Sequence, residues 1–203
     1  NMDTRLYLLK IRLFDIEPEI WRRFVVPGSI TLDRLHDVIQ IVVGWKDYHL
    51  HEFTIGKKRY TEWPESKEDG AEDGRYHLGD LIKQKGRTFY YLYDFGDYWK
   101  HEIILEDSRY FNPELQSRIE CLDGARACPP EDIGSVPGYY EFCESLKDPN
   151  HEEHDSYKGW FAGFPWYEGV FDSEKYDIKK VNDELMKYLR WSRIRIKPWL
   201  AGV

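Results

Sequence analysis

Three cysteines in 203 residues are too few, and odd in number, for the disulfide scaffold of a small secreted domain. A reducing, cytoplasmic setting is expected. No apolar run approaches the ~18 residues of a membrane span, and the N-terminal residues lack the basic-then-apolar order of a secretory signal. Basic residues are scarce too: 29 Lys and Arg against 37 Asp and Glu leave a formal charge of −8, which argues against a general nucleic-acid coat. There is no glycine-rich phosphate loop. The Asp94-Phe95-Gly96 tripeptide stands without the other parts of a kinase and reads as a hairpin turn. What the chain has is aromatic bulk. Its 8 Trp, 15 Tyr and 10 Phe offset an apolar content of 41%, because each ring buries a large area. The length suits one domain, residues 1–203.

Periodicity predicts an α+β fold. Residues 4–14 and 20–26 read as strands around an Asp15–Pro18 turn. Leu32, Leu35, Val38, Ile39 and Val42 then follow a helical period, with Thr31 at the N-cap and Gly44 at the left-handed C-cap. Strands are expected at 48–55 and 59–63, a mobile acidic loop at 64–77 and a short helix near 78–83. A hairpin follows from strands 87–95 and 98–106. Helices are expected at 138–147 and 177–189, with an irregular aromatic stretch at 157–171 between them. This ββαβ start predicts a β-grasp-like, ubiquitin-like core with the third strand beside the first, elaborated by the added hairpin and the C-terminal helices. The expected core includes Leu9, Ile11, Trp21, Leu35, Ile39, Phe53, Tyr91 and Ile103.

Several stretches together resemble one family. They include Ile20-Trp21-Arg22-Arg23, Leu35-His36-Asp37, Gly44-Trp45-x-Asp47-x-His49-Leu50, Tyr93-Asp94-Phe95-Gly96-Asp97-x-Trp99-x-His101 and Cys128-Pro129-Pro130-Glu131-Asp132. The chain resembles the plasmid pRiA4b ORF-3-like proteins over about residues 5–190. It departs from their pattern at Gly134-Ser135-Val136-Pro137-Gly138-Tyr139. The resemblance implies an α+β fold and no settled activity; some members are labelled passengers of insertion elements.

Strand phase puts His49, His51 and His101 on the apolar faces of their strands, close in sequence to Asp47, Asp94 and Asp97. Buried imidazoles need partners for both nitrogens. The cluster therefore reads as histidines braced by carboxylates, as a site for a divalent metal (zinc, iron or manganese) on His49, His51 and His101, or as an acid–base histidine. Asp94, Asp97, Glu131 and Asp132 are candidate ligand-binding carboxylates. Cys121 and Cys128, seven apart, read as reduced thiols steadying a loop. His151 and His154 are three apart, not the four that a zinc-protease helix needs, and read as surface. After Glu184 the chain carries only basic charges, among them Arg190, Arg193, Arg195 and Lys197. Arg193, Arg195 and Lys197 are expected on an extended edge strand facing the acidic body, and with Arg190 they are the only route to nucleic acid. The functional expectation is a non-catalytic module binding a protein or small ligand. The alternatives are a metal-dependent hydrolase or nuclease using the histidines, and an accessory DNA-binding factor of a mobile element.

Overall fold

The computed structural model describes residues 5–191. Eight strands form one sheet: β1 (Leu6–Leu13), β2 (Trp21–Pro27), β3 (His51–Ile55), β4 (Lys58–Thr61), β5 (Ala71–Glu72), β6 (Thr88–Tyr93), β7 (Trp99–Tyr110) and β8 (Glu120–Ala125). Their spatial order is β5-β4-β3-β6-β7-β1-β2-β8, antiparallel throughout except for the β4–β5 pair. Helices α1 (Leu32–Val43), α2 (Leu78–Leu81), α3 (Ser135–Lys147), α4 (His154–Ala162) and α5 (Ile178–Trp191) complete the α+β architecture. The expected neighbour of β1 is corrected: β3 does not lie beside it. The β6–β7 hairpin comes between them, with β7 paired to β1.

Alternation decides which sheet face is buried. Leu9, Ile11, Phe53, Phe89, Tyr91, Ile103 and Leu105 point to one face and are fully enclosed. The opposite face is half-exposed and carries ion pairs such as Arg12–Glu102 (3.1 Å) and Arg23–Glu106 (2.8 Å). Such partly solvated pairs contribute roughly 0–1 kcal/mol each. Helix α1 covers the buried face and is itself buried nearly all round, because Ile41 and Val43 add a second apolar side to the Leu35–Val42 stripe. On that second side the Tyr188 hydroxyl of α5 donates to Asp37 (3.0 Å). Gly44 ends α1 at φ 119°; a Cβ there would also sit 2.9 Å from the Cys128 Cβ, so the position demands glycine twice over. Thr31 takes the N-cap position without a side-chain hydrogen bond.

Other expectations need correcting. Strand β2 presents Arg22, Phe24 and Val26 inward, leaving Trp21 half-exposed on the outer face. The phase is set by Arg22. Its guanidinium donates to the carbonyls of Val42 and Val43 (both 3.0 Å), at the negative end of α1, and to those of Trp21 and Ala125 (both 2.9 Å). The acidic 64–77 loop is built into the fold, since it supplies β5 and the buried Asp73. Helix α4 occupies the first part of the stretch read as irregular, and the Nδ1 of His154 lies 2.7 Å from the Ser145 carbonyl. Arg190 sits on α5; Arg193, Arg195 and Lys197, with the edge strand expected there, lie outside the described residues.

Candidate functional site

The three histidines singled out above go to three different places. His101, on β7, is fully buried, and its Nε2 accepts from the Trp45 indole N–H (3.1 Å). Its Nδ1 must then carry the proton, which it donates to the Tyr91 carbonyl (3.1 Å). Burial holds this imidazole down to about 4, in its neutral form. His51, the first residue of β3, stacks on His36 of α1 with ring centroids 3.5 Å apart and 9° between planes. The Nε2 of His51 lies 2.7 Å from Asp73, and that of His36 lies 2.7 Å from Asp47. The other nitrogen of His36 reaches the Tyr91 hydroxyl (2.6 Å), which also accepts from Gln40 (2.8 Å). This is a buried polar network strung between α1, β3 and β6.

His49 is elsewhere. Asp47 has φ 56°, and β3 begins only at His51, so residues 48–50 form an irregular segment and not the expected strand. The Leu50 carbonyl accepts from the Asp94 N–H (2.9 Å), which anchors this segment to the β6–β7 hairpin. From it the His49 Nε2 lies 2.7 Å from Asp132 Oδ1, 3.5 Å from Asp94 Oδ2 and 3.9 Å from Glu131 Oε2. The His49, Asp94 and Asp132 donor atoms all lie within 4.8 Å of one another. Asp97 serves from the side: its Oδ2 accepts from the Gly134 N–H (3.0 Å) and ties the hairpin to the loop bearing Glu131 and Asp132.

The cluster is graded from closed to open. The Asp132 side chain is 60% exposed and that of His49 29%, whereas that of Glu131 is 2% exposed. Glu131 Oε1 is well supplied, accepting from the Lys46 N–H (2.7 Å) and the Tyr93 hydroxyl (3.0 Å). Glu131 Oε2 is buried with no hydrogen-bond partner. A buried acceptor left unmade costs about 1–3 kcal/mol. Burial pushes the Glu131 carboxyl above the usual carboxylate range, against the pull of the Lys46 and Tyr93 hydrogen bonds. The surrounding backbone is strained as well: Asp47, Asp94, Tyr98, Asp132 and Ser135 all have φ between 56° and 65°. Aspartate tolerates this conformation, but Tyr98 and Ser135 have no such ease, and each costs about 1 kcal/mol or more. Beneath the cluster, Trp45 packs on Tyr93 and Trp99 (5.1 and 5.3 Å between centroids) and forms a rigid aromatic floor.

Chemically this is one imidazole nitrogen facing three carboxylates, with no thiolate. Around a cation at ~2.1 Å, nitrogen and oxygen donors stand roughly 3–4 Å apart, which is close to the spacings found here. The sequence had named His49, Asp94, Glu131 and Asp132 separately, three as ligand carboxylates and one as a metal histidine; the fold puts these four together. His51 and His101 are occupied by Asp73, Trp45 and Tyr91, and Asp97 by Gly134. The partners Asp73 and His36 were missed. His36 follows Leu35 on α1 and is buried with the apolar residues of that helix, whereas Asp73 lies in the acidic 64–77 stretch, where nothing local marks it as buried.

The chain matches one family description over residues 5–180: plasmid pRiA4b ORF-3-like protein. The chain belongs to that family. Among its relatives, the uncharacterized protein y4hQ of Sinorhizobium fredii is 38% identical over 187 residues, 91% of this chain and 95% of that protein. Protein MM3350 of Methanosarcina mazei, described as of unknown function, has a crystal structure that superposes with a TM-score of 0.74 at 34% identity. That match covers 86% of this chain and 96% of the other. The family therefore supplies the fold, and any function must be argued from the site. No described helix of this member is long and apolar enough to cross a membrane.

Proposed function

We propose that the protein is a binding module built around a divalent-cation centre formed by His49, Asp94 and Asp132, with Glu131 as the buried fourth donor. One observation carries this reading. The unpartnered Oε2 of Glu131 lies 3.9 Å from His49 Nε2, on the enclosed side of a cluster whose other donor atoms fall within 4.8 Å of one another. A cation would satisfy that oxygen and neutralise carboxylates that otherwise repel one another. A set of one nitrogen and three oxygens suits manganese, iron(II) or zinc better than a soft, thiolate-seeking metal. The cation would tie together the segment before β3, the β6–β7 hairpin and the loop after β8, so that binding rigidifies all three. Three free cysteines fit the cytoplasmic setting assumed here.

The test is isothermal titration of chelator-stripped protein with Mn²⁺ and Zn²⁺. The wild-type chain should take up one equivalent of at least one of them, and His49→Ala and Asp132→Asn should each weaken that uptake at least tenfold. Uptake by His49→Ala equal to that of the wild type would remove the site.

A further inference from the structure

A second site lies beside the first. A cleft of about 320 Å³ opens between the start of α5, the 166–176 segment and the end of α1, in the size range of small-molecule pockets. Its walls are aromatic, with Trp166, Tyr167, Phe171 and Tyr176 among them, and Arg22 and Lys46 also line it. Arg22 is 1% exposed and has no carboxylate partner among the described residues; four carbonyls and the face of Tyr176, 3.6 Å from the guanidinium carbon, are what hold it. Those carbonyls satisfy its hydrogen bonds but bring only partial charges against a full one. The Lys46 side chain, half-buried, makes no ion pair among the described residues either. Acidic wall residues do occur. Glu168, Asp172 and Asp177 are exposed, where water screens them, and only Glu184 is half-buried. The inner part of the cleft therefore combines stacking surfaces with two cations against one carboxylate.

We infer that this cleft binds a small organic anion, a flat aromatic or other apolar body carrying a single acidic group, with the body between the tyrosine and tryptophan walls and the acid towards Arg22 and Lys46. Stacking on the walls supplies the affinity, and the inner positive charge selects acids over neutral analogues. This site is distinct from the cation centre and does not depend on it.

The experiment uses two fluorescent probes with nearly the same body, the anionic anilinonaphthalene sulfonate and the uncharged N-phenylnaphthylamine, with chelator present so that cation binding plays no part. The full chain should bind the sulfonate at one equivalent. Lys46→Gln should weaken the sulfonate about tenfold, the scale of one partly desolvated charge contact, and leave the neutral probe within twofold. Val181→Trp, which fills the cleft from α5, should abolish binding of both probes. Melting curves establish that each variant is folded, and Lys46→Gln carries the test alone if Val181→Trp is not. Equal sulfonate affinity in Lys46→Gln and wild type, or undiminished binding by folded Val181→Trp, overturns the inference.

Discussion

His49 and His51 stand two residues apart, and each places its Nε2 2.7 Å from an aspartate, yet they belong to opposite kinds of site. Around His51 the polar groups are matched: Asp73 takes its Nε2, His36 covers its face, and Asp47, Gln40 and Tyr91 close the ring of contacts. Around His49 acceptors outnumber donors. Three carboxylates converge on one imidazole, one of their oxygens is buried and unpartnered, and the far side opens to solvent. The same two residue types thus build a closed brace in one place and an open, acceptor-rich cluster in the other. What separates them is the donor–acceptor balance and the access of water, not composition.

The largest effects should come from breaking the brace. Asp73→Ala strips a buried imidazole of its carboxylate and should cost about 3–5 kcal/mol in urea unfolding. Leu35→Ala, at a fully enclosed position on α1, sets the apolar yardstick at about 2–5 kcal/mol. A loss under ~1 kcal/mol for Asp73→Ala would mean that the network is not holding the fold.

The pH dependence of the buried side is next in size. His101 falls to about 4 in the folded protein, against about 6.5 for a free imidazole, so between those values the unfolded chain binds the extra proton. Stability from this group is fully present above pH ~6.5 and is lost as pH drops to ~4, a change of about 3 kcal/mol. Unfolding free energies measured across that window should show this slope, and His101→Gln should flatten it. An unchanged slope in the variant would transfer the effect to other groups.

Smaller effects should come from the open side, and they should appear in binding more than in stability. Glu131→Gln replaces a buried, half-satisfied carboxylate by a neutral amide. In chelator its stability should stay within ~1 kcal/mol of wild type or rise, while Mn²⁺ affinity falls about tenfold. Asp97→Ala, which releases the Gly134 N–H, should cost about 0.5–1.5 kcal/mol and weaken the cation modestly by loosening the Asp132 loop. If either substitution proved as damaging as Asp73→Ala, the contrast between the two regions would collapse.

Much of the fold was legible because periodicity survives in the apolar residues. Strands β1, β3, β6 and β7 and helices α1, α3 and α5 follow their own patterns, and seven of the eight expected core residues are buried. The exception is instructive. Trp21 and Arg22 compete for the inward phase of β2, and hydrophobicity alone chooses tryptophan. The structure chooses Arg22 because the C-terminal carbonyls of α1, distant in sequence, form an acceptor set fitted to a guanidinium. The strand order was hidden for a similar reason. β7 pairs with β1 across about 90 residues, and nothing local announces it. At the candidate site, residue types named His49, Asp94, Glu131 and Asp132, which the fold brings together. The three histidines do not converge because the expected strand 48–55 starts three residues late, at His51, after an Asp47 whose positive φ turns the chain before His49. Asp73 was lost inside a charge run that reads as solvated until β5 shows where the loop is pinned.

The most direct measurement is an anomalous difference map from crystals soaked in Mn²⁺, with Asp132→Asn crystals soaked in parallel. The account expects one dominant peak about 2.0–2.3 Å from His49 Nε2 and from oxygens of Asp94 and Asp132, with Glu131 Oε2 drawn towards it, and no such peak in the variant. A dominant peak elsewhere, or the same peak undiminished in Asp132→Asn, would contradict it.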